Sequence, residues 1–133
     1  MRVVSGFDSR KCEQIARMCG NKSARDAVAY LRRAHYNNRE SFVCELFDDV
    51  AFYAGSVGKD HFRLYEMAVK EEYRGKGYGK AMLVRIKKIC KEKGVSKITL
   101  RTSREDGAAG FYRKGGAIVV GRKGEDIEME IAI

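Results

Sequence analysis

The sequence predicts an α+β domain built around a central, largely antiparallel sheet flanked by helices. Three observations lead there. β-rich or alternating runs recur in the middle and at the end of the chain, separated by turn signals. Other segments carry apolar residues at helical spacing. The 133 residues, 44% of them hydrophobic, supply material for one core, so residues 1–133 are expected to form a single domain.

The first helix candidate runs from about Asp8 to Cys19, with Cys12, Ile15, Met18 and Cys19 on its apolar side and Gly20 just past its end. Ser23 opens a second, with Asp26 three residues on as a capping-box partner. Its apolar side, Ala24, Val28, Leu31 and His35, keeps helical spacing to about Tyr36. Ser41–Phe47 is β-rich, Asp48-Asp49 is a turn, and Val50–Val57 completes a hairpin. Gly58-Lys59-Asp60 turns the chain into Phe62–Val69, the third strand of a meander. After the glycine-punctuated stretch Tyr73–Gly79, the segment Lys80–Lys93 sets Met82, Leu83, Ile86, Ile89 and Cys90 against Arg85, Lys87, Lys88 and Lys91, and Gly94 ends it. Val95–Thr102 reads as a strand and Glu105–Lys114 as a short helix stopped by Gly115-Gly116. Ala117–Val120 is another strand, and in Ile127–Ile133 the residues Ile127, Met129, Ile131 and Ile133 alternate with Glu128, Glu130 and Ala132. The expected order is ααβββαβαββ.

Charge is unevenly spread. Residues 1–69 carry a net +2 and residues 70–133 a net +7, which points to an anionic partner for the second half. No helix-turn-helix, zinc-finger or aromatic RNA-binding signature accompanies it, so no nucleic-acid partner is expected. The four cysteines contain no C-x-x-C pair and the two histidines lie far apart, so free thiols and no metal are expected. No 18-residue apolar run exists to cross a membrane, and the opening MRVVSGFDSRKCEQ lacks the apolar core of a secretory signal. No membrane partner and a cytoplasmic location are expected.

The most informative stretch is a strand, a glycine loop and a helix in succession: Leu64–Val69, Arg74-Gly75-Lys76-Gly77-Tyr78-Gly79, then the Lys80 helix. Glycines let a backbone approach a ligand and turn its N–H groups inward, at a helix N-terminus that carries about half a positive charge. Arg74, Lys76 and Lys80 add full charges at the same mouth. A pyrophosphate is the natural guest. A Walker A loop is excluded because Ala81 follows Lys80, and the Gly75-x-Gly77-x-Gly79 spacing after a meander does not suit a dinucleotide fold.

These residues resemble the GNAT superfamily of N-acetyltransferases. The acyl-CoA loop of that family reads Arg/Gln-x-x-Gly-x-Gly/Ala, which Arg74–Gly79 matches in full. Met67-Ala68-Val69 occupies the place of the family strand that lends backbone groups to the pantetheine and the acetyl carbonyl. Phe111-Tyr112-Arg113-Lys114-Gly115-Gly116 resembles the family's aromatic-Tyr segment, with Tyr112 in the place of the usual general acid. The resemblance extends from about Ser41 to Ala117 and implies a three-layer fold with a mixed, mostly antiparallel sheet. Two departures stand out. Glu105 replaces an asparagine that often contacts the cofactor, and Leu100 replaces a carboxylate base found in several relatives.

The resemblance implies direct acetyl transfer from acetyl-CoA to a primary amine of a small molecule, peptide or protein. The cofactor-binding residues it implies are Met67, Ala68, Val69, Arg74, Gly75, Lys76, Gly77, Tyr78, Gly79 and Lys80. Tyr112 would serve as general acid; the leading base is Glu66, beside the acetyl site, ahead of His61 and Glu105. Glu45, Glu66 and Asp48 are the acidic groups that could attract a cationic amine. The alternative is a non-catalytic acyl-CoA-binding sensor. Nothing in the chain decides between monomer and homodimer.

Overall fold

In the computed structural model, residues 1–21, 23–103 and 108–133 are described, and they build one seven-stranded sheet with helices on both faces. The elements are β1 (Val3–Ser5), α1 (Ser9–Met18), α2 (Ala24–Asn37), β2 (Phe42–Phe47), β3 (Ala51–Val57), β4 (His61–Val69), α3 (Tyr78–Lys93), β5 (Lys97–Ser103), α4 (Ala108–Lys114), β6 (Ala117–Lys123) and β7 (Asp126–Ala132). A 3-10 turn, Glu71–Tyr73, precedes α3. The expected order holds from α1 onward, with boundaries moved by a few residues. β1 is the addition: three exposed residues with no pattern of their own become a strand by pairing with the end of β2, Val3 against Phe47. Among the described residues, no helix is long and apolar enough to cross a membrane.

Helix ends follow from local chemistry. The Asp8 carboxylate accepts the Lys11 N–H at 3.1 Å and caps α1. The capping box expected at Ser23 does not form; Asn21 Oδ1 accepts the Ser23 N–H at 2.8 Å, and Ser23 makes no side-chain cap. α3 begins at Tyr78, inside the stretch expected to be loop. It ends at left-handed Gly94, whose N–H reaches the carbonyls of Cys90 and Lys91.

The strand order is β1-β2-β3-β4-β5-β7-β6, antiparallel except where β4 meets β5. That parallel pairing joins His61 to Lys97, Phe62 to Ile98 and Arg63 to Thr99, then stops, although both strands continue. The other edge of β4 explains why. Ala54 faces Glu66 while Gly55 faces Leu64, so Tyr65 is an extra residue, a β-bulge. A bulge bends its strand, and this one carries Glu66–Val69 away from β5. It also reverses the alternation of side chains. Phe62 and Leu64 enter the core beneath α3 and α4; past the bulge Met67 and Val69 take that face, and Ala68 joins the second core beneath α1 and α2. Gly55 makes the bulge possible, because a Cβ there would stand 2.4 Å from the Arg63 carbonyl oxygen and 2.5 Å from the Phe62 ring.

One carboxylate is buried between the sheet and α3. Glu45 on β2 is 2% exposed. Arg85 donates to it through Nε at 2.9 Å and Nη2 at 3.2 Å, the Ser5 hydroxyl donates at 3.2 Å, and the Tyr53 hydroxyl donates as well. Burial pushes the Glu45 carboxyl up, but the Arg85 and Tyr53 hydrogen bonds outweigh it and hold the group below its ordinary value.

Gly55→Ala is expected to cost about 2–3 kcal/mol in urea denaturation, and an unchanged midpoint would show that the bulge has slack. The folded pKa of Glu45 lies below its unfolded value of about 4.3. Its contribution is therefore complete above that pH and is lost as pH falls through the folded value. Glu45→Gln should lower the urea midpoint at neutral pH and flatten its fall on acidification; an acid limb identical to wild type would contradict the assignment.

Candidate active site

Where β4 and β5 part, the sheet opens into a cleft of about 960 Å³. The cleft passes from one face to the other. Cys19, Gly20 and Asn21 of the α1–α2 connection line it together with Glu66, and Ala108, Phe111 and Tyr112 of α4 line it from the opposite face. The start of α3 lies along it. Of the residues singled out in the sequence, Glu66, Met67, Ala68, Val69, Arg74, Gly75, Gly77, Tyr78, Gly79, Lys80 and Tyr112 all lie on this lining. Lys76 does not; its ammonium sits over the Tyr73 ring, 5.2 Å from the centroid. Glu105 and its neighbours Arg104 and Asp106 lie outside the described residues.

The three loop glycines have different reasons to be glycine. Gly75 and Gly77 hold φ of +76° and +92°, left-handed conformations with open space where a Cβ would stand. Gly79 has no such φ, but a Cβ there would lie 3.0 Å from the Phe111 ring. The first two shape the loop, and the third lets α4 pack against α3. Gly77 is the N-cap of α3 and, having no side chain, leaves the first-turn N–H groups without a side-chain cap among the described residues. Lys80 adds a full charge beside them. The mouth is built to receive an anion.

The other charges have structural duties that sequence reasoning did not find. Arg74 donates through Nη2 to the Cys19 carbonyl oxygen at the end of α1, joining the glycine loop to the opposite wall. Lys87, on the charged side of the helical pattern, donates to the Gly115 carbonyl oxygen at 3.1 Å and so ties α3 to the end of α4. Glu45 is committed to Arg85 and is absent from the cleft lining. Asp48 accepts the Tyr78 hydroxyl at 2.7 Å and the Arg2 N–H at 2.6 Å. His61, at the far end of β4, is bonded to Asp60 at 2.8 Å. Leu100 is buried in the core beneath α3.

Glu66 stands on the α1 side of β4, half-buried, and its field reaches Cys19. Burial pushes the Cys19 thiol up and Glu66 adds to that, against the Asn21 N–H and Arg74. Tyr112 is 7% exposed, with its ring 5.4 Å from that of Phe111 in an edge contact. Cys19, Gly20, Asn21, Tyr73 and Ala108 are lining residues given no site role in the sequence, and Phe111 entered there only beside Tyr112 in the aromatic-Tyr segment. Only the aromatic step Phe111-Tyr112 carried a signal.

Residues 37–116 match the family model described as an acetyltransferase (GNAT) domain. No curated protein matches the chain by sequence. Among solved structures, the PaiA N-acetyltransferase of Thermoplasma acidophilum in complex with coenzyme A is 20% identical, with a TM-score of 0.80 and full coverage of both chains. The ribosomal-protein-S18-alanine N-acetyltransferase of Escherichia coli is 18% identical, with a TM-score of 0.78, covering 99% of this chain and 93% of the other. An aminoglycoside 6′-N-acetyltransferase complexed with coenzyme A is 16% identical, with a TM-score of 0.73, covering 99% and 97%.

The glycine assignments separate by experiment. Gly77→Ala has room for its methyl but the wrong φ, and is expected to cost about 1–2 kcal/mol of stability. Gly79→Ala must move the Phe111 ring, so its signature is a shifted Phe111 and Tyr112 environment by NMR. An unperturbed Tyr112 in Gly79→Ala would contradict the packing role.

Proposed function

This chain belongs to the GNAT acetyltransferase family, and on that premise we propose that it transfers an acetyl group from acetyl-CoA directly to a primary amine, with both substrates bound. One observation carries the reading. The glycine loop opens into a cleft that crosses the sheet, so a donor on the α3–α4 side and an amine on the α1–α2 side meet at Met67–Val69.

The residues divide the work. The Gly75–Gly79 amides and the first turn of α3 hold the cofactor's phosphates, with Arg74, Tyr78 and Lys80 on the same lining and Lys76 off it, over the Tyr73 ring. Among the described residues no strand pairs with Met67, Ala68 and Val69 on the β5 side, so their backbone groups are available to the pantetheine and the acetyl oxygen. Acetyl-CoA supplies the activated thioester. Tyr112, a phenol protonated at neutral pH, donates a proton to the departing thiolate.

The amine must be neutral to attack. For a lysine-like pKa of about 10.4, that costs roughly 4–5 kcal/mol at pH 7. Glu66, on the amine's side of the cleft, takes the proton directly or through water. The neighbours named for a ribosomal-protein alanine and for an aminoglycoside share the fold, which leaves the choice of acceptor to side chains on the α1–α2 side.

A second reading, a non-catalytic acyl-CoA-binding sensor, is favoured by Leu100, a buried leucine in the place of a family base. A thiol-release assay against a panel of amines and N-terminal peptides separates the two. Acetyl-CoA at about 100 times its Kd should stabilise the fold by about 2.7 kcal/mol, and no thermal shift at saturation would remove the donor assignment. Tyr112→Phe should lower kcat by about 100-fold with acetyl-CoA affinity retained; unchanged turnover would remove Tyr112 from its role.

A further inference from the structure

The β2–β3 hairpin turn contains a feature that packing does not require. Asp48 and Asp49 occupy both central positions, with φ of +52° and +55°, and the Val50 N–H closes the turn on the Phe47 carbonyl oxygen at 3.0 Å. A turn with two left-handed residues favours Asn-Gly or Asp-Gly, because a side chain strains in that region. Aspartate at the first position fits that preference, so it is Asp49, standing where glycine is preferred, that carries strain, and strain of this kind is retained where something else over-determines it.

Here the carboxylates supply that determination. Asp48 Oδ2 accepts the Tyr78 hydroxyl at 2.7 Å and Oδ1 accepts the Arg2 N–H at 2.6 Å, while Asp49 Oδ1 pairs with Lys11 Nζ at 3.2 Å. Tyr78 is the first residue of α3, between Gly77 and Gly79. Its ring meets that of Tyr73 edge-on, centroids 6.2 Å apart, and the Lys76 ammonium lies over the Tyr73 ring. Tyr73 and Tyr78 thus close the neck of the 74–77 loop, and the hairpin turn holds that neck from outside.

We propose that Asp48 is a positioning residue for the cofactor loop, fixing Tyr78 so that the first-turn N–H groups of α3 are aimed before the phosphates arrive. The inference rests on the acetyl-CoA assignment and adds to it a residue distant in sequence from the loop. Its effect is preorganisation, so it acts on donor affinity and leaves the chemical step alone.

The test measures coenzyme A binding by calorimetry, with melting temperature and steady-state kinetics on the same proteins. Tyr78→Phe removes only the hydroxyl and is expected to weaken coenzyme A binding roughly 3- to 10-fold, raising KM for acetyl-CoA while kcat at saturation stays unchanged. Asp48→Asn keeps tolerance of the left-handed turn but only one acceptor oxygen for the Tyr78 hydroxyl and the Arg2 N–H, so its affinity should fall between wild type and Asp48→Gly. Asp48→Gly is compatible with the left-handed turn but releases Tyr78, so affinity should fall while the melting temperature changes little. A merely structural role would lower both together. Wild-type affinity in both Tyr78→Phe and Asp48→Gly would overturn the proposal, as would parallel losses of stability and affinity in Asp48→Gly. Failure of the wild-type chain to bind coenzyme A would instead fell the donor assignment, and this inference with it.

Discussion

The arrangement of this chain depends on one inserted residue. Tyr65 puts β4 out of register with β3, and directly beside it the pairing of β4 with β5 ends at Arg63 and Thr99. Without the bulge, the two parallel strands could continue side by side and their backbone groups would pair with each other. With it, Glu66–Val69 leaves the β5 pairing, and the side chains exchange faces. Met67 and Val69 turn to the α3 side, and Ala68 turns to the α1 side with Glu66 beside it. Gly55 supplies the close approach that the bulge needs. The wedge between the strands is thus a property of register and sterics, and the cleft is its consequence.

Around that wedge the excess positive charge is partitioned by use. Arg85 neutralises a buried carboxylate, Lys87 closes the end of α4, and Arg74 joins the loop to the α1 terminus. Lys80 stays on the cleft lining beside the first turn of α3. A single surplus of basic residues therefore contains three structural anchors and a local anion mouth. Glycine divides in the same way, with Gly77 held for its dihedral angle and Gly79 for the ring of Phe111.

Much of this was legible in the sequence because it is local. The helical spacing of Lys80–Lys93, the alternation of Ile127–Ile133 and the Asp48-Asp49 turn depend on neighbours a few residues away, and each element stands where its pattern placed it. The glycine loop was equally local, and its residues gather on one cleft. What escaped is what depends on distant partners. Val3–Ser5 is a strand only because the end of β2 lies beside it. Ser23 had the composition of a capping box, but Asn21 reaches its N–H first. Glu45 and Asp48 looked like free acids able to attract an amine; Arg85, forty residues on, and Tyr78, thirty residues on, claim them. The Tyr65 bulge leaves no mark in a run of β-formers, since one extra residue changes register without changing composition.

On the proposed function, β4 beyond its pairing with β5 and the first turn of α3 together form the acetyl-CoA site. Amide hydrogen–deuterium exchange with and without coenzyme A tests it most directly, because it reads the backbone groups assigned to the ligand. The expected result is slowed exchange on coenzyme A addition over residues 66–69 and 75–80, with β6 and β7 unchanged. Protection confined to other segments, or no protection at saturating coenzyme A, would contradict the claim.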